Sequence, residues 1–156
     1  MYAPTGDYQK ERLANPGLNY WTFDPIIGAS YSNDRMGLNA ALHGGISLNS
    51  ENKDTDYQSG SMLHFNGSMQ QLLPVGSGFL DLGAEAFYME QITGDSGSGA
   101  AFGNFKGRSV GIGPVITYVL PREEEAFVLE LRWLPELDVK NRLEGDYFWL
   151  KFVYQF

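Results

Sequence analysis

The feature that most constrains this chain is a two-residue alternation of apolar and polar side chains, repeated in one segment after another. In "GLNAALHGGISLN" (37–49), Leu and Ile share one parity with small residues, while Asn, His and Ser occupy the other. Successive side chains of a β-strand point to opposite faces, so this pattern predicts strands with one apolar face. The same pattern predicts seven strands, at about 20–31, 37–49, 61–73, 78–92, 109–120, 126–136 and 147–156.

The connections between these strands alternate in length. The connections at 32–36, 74–77 and 121–125 are short and turn-like. The connections at 50–60, 93–108 and 137–146 are longer, polar and rich in Gly, Asp and Asn. This alternation predicts an antiparallel up-and-down sheet with its elaborate loops at one end. We expect residues 1–156 to form one domain, with 1–19 as an N-terminal loop or partial strand.

Composition excludes several classes of protein. The chain has no cysteine, so it has no disulfide framework and no thiolate metal site. Its net charge of -8 argues against a nucleic-acid partner. No apolar run reaches the roughly 18–20 residues of a spanning helix, and "YAPTGDYQKER" after Met1 has no signal-peptide core.

The polar parity indicates which face points inward. A strand face exposed to water is rich in Lys and Glu, whereas here Asn, Ser and His dominate. Of eleven Lys and Arg residues, only Arg132 and Lys151 lie well inside predicted strands. Aromatic residues lie on the apolar parity near strand ends, as in an interfacial girdle. We therefore expect an all-β, antiparallel, up-and-down transmembrane β-barrel with its apolar row towards lipid; a soluble barrel is the alternative.

The C-terminal stretch "YFWLKFVYQF" (147–156) supports the membrane interpretation. Its alternate positions are all aromatic or apolar, up to the last residue, and this resembles the recognition signal of bacterial outer-membrane proteins. The resemblance implies two partners, membrane lipid and the outer-membrane assembly machinery. An edge strand that happens to end there is the alternative. The residues of this expected assembly signal are Phe148, Leu150, Phe152, Tyr154 and Phe156.

Four separated motifs in order also resemble one protein family. The motifs are "PTGDYQKERLANPGLNYWTFDP" (4–25), "NSENKDTDYQSGSMLHF" (49–65), "QITGDSGSGAAFGNFKGRSVGIGP" (91–114) and "ELDVKNRLEGDYFWL" (136–150). They are similar to the outer-membrane MetA-type family, named for the meta-pathway of phenol degradation. The resemblance implies an outer-membrane barrel that passes small hydrophobic or aromatic compounds.

Two departures from the family affect how the barrel is completed. Its members are typically much longer, and single-chain bacterial barrels have an even number of strands, whereas seven are expected here. We therefore expect seven or eight strands in this chain, the eighth supplied by residues 1–19, or closure of a larger barrel by further strands, by homo-oligomerisation or by a partner chain. An unpaired edge in lipid would cost several kcal/mol per backbone group.

Charged and histidine residues on the polar parity are the candidate lumen lining. They either bias permeation or form a salt-bridge network that holds a narrow barrel together. The two histidines lie on neighbouring strands. Three roles fit them: a metal-binding pair, a proton-linked gate, or polar side chains that fill the lumen. No third ligand is evident, so no metal site is predicted. The candidate lumen-lining residues are Asp24, His43, His64, Asp81, Glu85, Glu130, Arg132 and Lys151.

The long loops carry a second group of candidates. Asp54, Asp56 and Asp95 could hold calcium, but neither loop matches an EF-hand, so solvated loops without a cofactor are expected. Repeated Gly-Asp, Ser-Gly and Asn-Arg elements predict loops that pack together as a lid. The loop-locking candidates are Asn104, Arg108, Arg142 and Asp146.

The expected function is therefore a channel or transporter for small hydrophobic or aromatic molecules in the bacterial outer membrane. The alternative is a scaffold barrel whose lumen is plugged by side chains and which acts through its loops or through oligomerisation. No nucleophile and base stand at a recognisable spacing, so we do not expect an enzyme.

Overall fold

A computed structural model describes residues 1–3, 5–12 and 15–156 of the chain. Pro4, Leu13 and Ala14, which belong to the predicted N-terminal loop or partial strand, lie outside the described residues. All regular structure in the described part is β-strand, which confirms the predicted all-β class. Within the same residues, no helix has the length and apolarity needed to cross a membrane.

Eight strands follow one another along the chain. Their bounds are β1 (Thr22–Phe23), β2 (Ile26–Asn33), β3 (Leu38–Asn49), β4 (Met62–Val75), β5 (Gly78–Gln91), β6 (Arg108–Pro121), β7 (Ala126–Lys140) and β8 (Asp146–Gln155).

The strands form one up-and-down antiparallel sheet, as predicted, in which each strand from β3 onward pairs with the next. Both β1 and β2 pair with β3, through Thr22 opposite Asn49 and Ile26 opposite Gly45. They are two halves of one strand position, interrupted at Asp24 and Pro25, where proline has no N–H for the ladder. Eight strand segments therefore occupy the seven predicted positions.

The two faces of the sheet differ in exposure. On β6, Ile112 of the apolar parity is 50% exposed, whereas Val115 of the other parity is 1% exposed. The apolar row continues in register across the sheet, for example from Leu42 to Gly67, Ala86 and Ile112. No second layer covers the polar face, so its side chains can be buried only if the sheet curves around them. The polar face is therefore concave, and the apolar face is convex and exposed.

Connections at the two ends of the sheet differ in length. Residues 34–37, 76–77 and 122–125 turn at one end. Residues 50–61 and 92–107 form large loops at the other.

The third connection at the loop end, 141–145, is shorter than the predicted loop over 137–146, because β7 runs on to Lys140. A register shift between Val110 and Gly111 lets the ladder continue beyond the expected strand end. The side chain of Arg108 donates to Asp138 at 2.5 Å, across the extended part.

The sheet is open in the described part of the chain. Neither β2 nor β8 has a neighbour on its outer side, and every residue of β8 is exposed. Direction alternates from one strand position to the next, so the first and the seventh positions run the same way. Direct pairing of β2 with β8 would therefore be parallel.

Replacement of Gly113 by Ala should destabilise the sheet. A Cβ at Gly113 would overlap the carbonyl oxygen of Trp133 on β7, where the register of the β6–β7 ladder is irregular. Overpacking of this kind costs about 1–3 kcal/mol of unfolding free energy. Urea unfolding of detergent-refolded protein, followed by tryptophan fluorescence, measures the loss. Gly145→Ala is the control, because a Cβ there meets nothing within 4 Å; equal stability losses in the two variants would contradict the expectation.

Candidate functional site

A cavity of about 380 Å³ lies on the concave face, between β4, β5, β7 and β8. We call it the aromatic cavity, because three aromatic side chains line it. Its lining residues are Asn66, Glu85, Phe87, Met89, Arg132, Leu134, Glu136, Tyr147 and Trp149.

One wall of the aromatic cavity is apolar. Phe87 meets Tyr147 edge to face, with ring centroids 6.1 Å apart and an interplanar angle of 83°. Tyr147 in turn stacks on Trp149 at 5.6 Å. Leu134 is buried beside them. These contacts fix the three rings relative to one another, so the wall is shaped before any ligand arrives.

A charged network that joins three strands also lines the cavity. Arg132 of β7 contacts Glu85 of β5 through Nη1 at 2.5 Å and Glu130 through Nη2 at 3.1 Å. Asn66 of β4 donates to the other oxygen of Glu85 at 2.8 Å. The Nε of Arg132 is buried and has no hydrogen-bond partner among the described residues.

Glu136 is a third carboxylate of the cavity, and it is buried. The hydroxyl of Ser109 donates to its Oε1 at 2.5 Å, and the backbone N–H of Gly145 donates to its Oε2 at 2.8 Å. Tyr147 donates more weakly, at 3.5 Å. Glu136 was not among the residues predicted from the sequence, although it shares the parity of Glu130 and Arg132.

A second cavity, of about 200 Å³, lies towards the loop end of the same face. Gln91 lines the second cavity and Met89 lines the aromatic cavity. These are consecutive inward positions of β5, so the two cavities are neighbours along this strand. The guanidinium of Arg142, which also lines the second cavity, lies 3.4 Å from the sulfur of Met89. Met89 and Arg142 therefore lie between the two cavities.

Asp95 organises the loops around the second cavity. It accepts hydrogen bonds from the hydroxyl of Tyr57 at 2.9 Å, the N–H of Gly60 at 3.0 Å and the amide of Gln91 at 2.5 Å. Burial, and then the Asp95 carboxylate, raise the pKa of Tyr57, so its phenol stays protonated as a donor. The backbones of Gln58 and Ser96 also exchange hydrogen bonds. The loops 50–61 and 92–107 are thus joined, and Asp95, considered from sequence only as a calcium ligand, holds them.

The four loop-locking candidates lie in different settings. Arg108 pairs with Asp138, and Arg142 packs over Gly107 and Met89. Asn104 packs against Gly94 within the 92–107 loop. Asp146 begins β8 in register with Pro135.

The two histidine candidates lie in different settings. His64 lies 2.9 Å from Asp24, through Nε2 and Oδ1, and this pair spans the break between β1 and β2. His43 is exposed and in register with Asn66. In the described residues, no group of three or more His, Asp or Glu side chains is arranged to hold a metal ion.

The remaining candidates also lie on the predicted faces. Asp81 has a buried Oδ1 without a hydrogen-bond partner among the described residues. Lys151 is in register with Glu130 and exposed. The residues of the expected assembly signal are exposed, and those within β8 alternate with the inward-facing Tyr147 and Trp149.

A family model described as "Putative MetA-pathway of phenol degradation" matches residues 1–152. The chain belongs to this family. The match confirms the resemblance inferred from the four motifs, and it covers every strand of the sheet except the end of β8. No curated protein and no solved structure matches this MetA-type chain significantly.

The loop contacts of the MetA-type chain should weaken in acid. Hydrogen bonds from Ser98, including its backbone N–H at 2.8 Å, lower the pKa of Asp56. Because the pKa of Asp56 is lowered in the folded state, this contact stabilises the loops at any pH above the ordinary carboxyl pKa. The stabilisation is lost as the pH falls through the lowered pKa. The measurement is the rate of amide hydrogen exchange at Ser98 and Gly99 across this pH range, relative to the rate of exchange through global unfolding. Asp56→Asn should remove the pH dependence; if the variant keeps it, another group is responsible.

Proposed function

We propose that this MetA-type chain forms part of a transmembrane β-barrel in the bacterial outer membrane and passes small hydrophobic or aromatic molecules along its concave face. The aromatic cavity is the observation that carries this proposal. Membrane lipid and the outer-membrane assembly machinery are its proposed partners, and no cofactor or catalytic step is part of the proposal.

The convex face supports the membrane location. Its rows are apolar on every long strand, and they are exposed where a water-facing sheet would carry charge. Large side chains such as Phe65, Met69 and Ile116 remain exposed there. An apolar band of this kind faces hydrocarbon in outer-membrane barrels. Exposure to water would instead leave an apolar patch far larger than soluble monomers carry.

The size and lining of the aromatic cavity support the type of solute. A dry cavity of about 150 Å³ is enough for benzene. At about 380 Å³, the aromatic cavity has room for a one-ring or two-ring molecule. Phe87, Tyr147 and Trp149 offer ring faces and edges for stacking. The second cavity, beyond Met89, continues the path towards the loops.

The charged network favours a second candidate, a scaffold whose interior is filled by its own side chains. Glu85, Arg132 and Asn66 tie β4, β5 and β7 together across the concave face. In a plugged barrel these bonds would serve stability alone. Addition of bulk between the cavities would then change no flux.

We also propose that closure takes an odd number of additional strands, from a further segment or another chain. Because β2 and β8 run in the same direction, an odd number of strands between them keeps every pair antiparallel. The chain has no cysteine, so Ala29→Cys with Leu150→Cys gives a clean test. We expect no cross-link within one molecule in outer-membrane vesicles, because inserted strands separate the edges. An efficient intramolecular cross-link would show that β2 and β8 meet directly.

Narrowing the path should reduce uptake. Met89→Trp adds bulk between the two cavities, so we expect the initial rate of uptake to fall about tenfold, equivalent to about 1.4 kcal/mol. The measurement is the fluorescence gain of 1-N-phenylnaphthylamine in intact Gram-negative cells that express the protein. Cells without the protein give the background rate.

Leu82→Trp is the matched control, because it adds a tryptophan to the convex face of the same strand. Uptake should be unchanged in this control at equal surface expression. An unchanged rate in Met89→Trp, with both variants folded, would contradict the channel and favour the scaffold.

A further inference from the structure

The charges that line the aromatic cavity are unbalanced. Glu85 and Glu136 contribute two negative charges and Arg132 contributes one positive charge, which leaves one net negative charge. Glu130, bound to the same guanidinium, lies outside the lining and is in register with Lys151, so it does not change this balance. The two lining carboxylates are 7% and 6% exposed, so solvent screens them little.

The guanidinium of Arg132 is already occupied by protein. Its two terminal nitrogens contact Glu85 and Glu130, and Glu85 also accepts the amide of Asn66. A guanidinium binds a ligand carboxylate best through two parallel hydrogen bonds. The terminal nitrogens of Arg132 are already engaged, so they cannot form this bidentate contact with a ligand. Arg132 is therefore a neutralised cation, although from the sequence it could bias permeation as a lumen charge.

Glu136 lies near the aromatic wall and is held in place by two donors. The hydroxyl of Ser109 and the backbone N–H of Gly145 both donate to it. Tyr147, which donates to Glu136, also stacks on Trp149. A ring that enters against this wall therefore comes close to a fixed carboxylate.

The remaining nitrogen of Arg132 offers a ligand no contact. Its Nε–H is buried, so an acceptor in the cavity does not reach it. A carboxylate in the cavity would add repulsion from the buried like charges of Glu85 and Glu136, which is strong where solvent is excluded.

We infer that the aromatic cavity selects neutral aromatic molecules and rejects aromatic carboxylates. Glu85 and Glu136 are its specificity-determining residues. This inference rests on the proposed function, because it concerns which molecules use the same cavity.

The test compares benzyl alcohol with benzoate, two ligands with the same ring, of which the first is neutral and the second is an anion at pH 7. Equilibrium dialysis with the detergent-refolded full chain gives both dissociation constants. We expect benzyl alcohol to bind at least about tenfold more tightly than benzoate. Glu85→Gln and Glu136→Gln should each reduce this ratio severalfold, chiefly through tighter binding of benzoate. Two independent variants keep the test decisive if Glu85→Gln, which disturbs the charged network, does not fold.

Glu90→Gln is the matched control, because it removes a carboxylate from the same strand on the opposite parity from Glu85. The ratio of the two dissociation constants, for benzoate and benzyl alcohol, should be the same in this variant as in the unaltered protein. Equal binding of the two ligands, or tighter binding of benzoate, would overturn the inference and leave the channel proposal standing. A ratio unchanged in both Gln variants would overturn the assigned roles of Glu85 and Glu136. If neither ligand binds and Met89→Trp leaves uptake unchanged, both proposals fail.

Discussion

The structure depends on one constraint: a single sheet has two faces, and no second layer covers either. A β-strand with a period of two sends half its side chains to each side, so each face needs its own environment. Curvature gives the polar face a partner, because side chains from different strands then reach one another across the concave surface. The convex face has no such partner within the described residues, and its apolar rows require a nonpolar surrounding.

The interior follows from the same constraint. Charged groups that face inward are removed from bulk water, so they must pair or accept several hydrogen bonds. Glu85 and Arg132 pair across strands, and Glu136 is surrounded by donors. Between these groups lie aromatic side chains, and together they form a cavity with a shaped wall and an excess of negative charge. The solute class we propose therefore follows from how the sheet satisfies its own polar groups.

Parity along the strands predicted much of this arrangement. It assigned Glu85, Glu130 and Arg132 to one inward face, and the structure joins them in one network. It also separated the apolar, convex row of β8 from the row that faces inward. The aromatic cavity itself was not predicted, because Tyr147 and Trp149 come from the last strand and Phe87 from the fifth. Their proximity depends on curvature, which a two-residue period does not encode.

Loop geometry was the least predictable part. The length of β7 depends on a register shift opposite Gly111, which adds residues to a strand without any break in the local pattern. The role of Asp95 depends on Tyr57 and Gly60, more than thirty residues earlier in the chain. Hydrogen bonds between loops leave no periodic trace in a sequence. Local composition could indicate only that the loops are polar and close to one another.

The central claim is that the convex face lies in lipid and the concave face does not. Because the chain has no cysteine, single cysteines along β6 and β8 can carry a nitroxide label in outer-membrane vesicles. Collision rates with oxygen, which concentrates in lipid, and with a water-soluble nickel chelate then report the surroundings of each position. We predict oxygen maxima at Ile112, Ile116, Leu150 and Phe152, and minima at Val115 and Trp149, which lie on the inward parity. High nickel accessibility at the four convex positions, or no alternation along either strand, would contradict it.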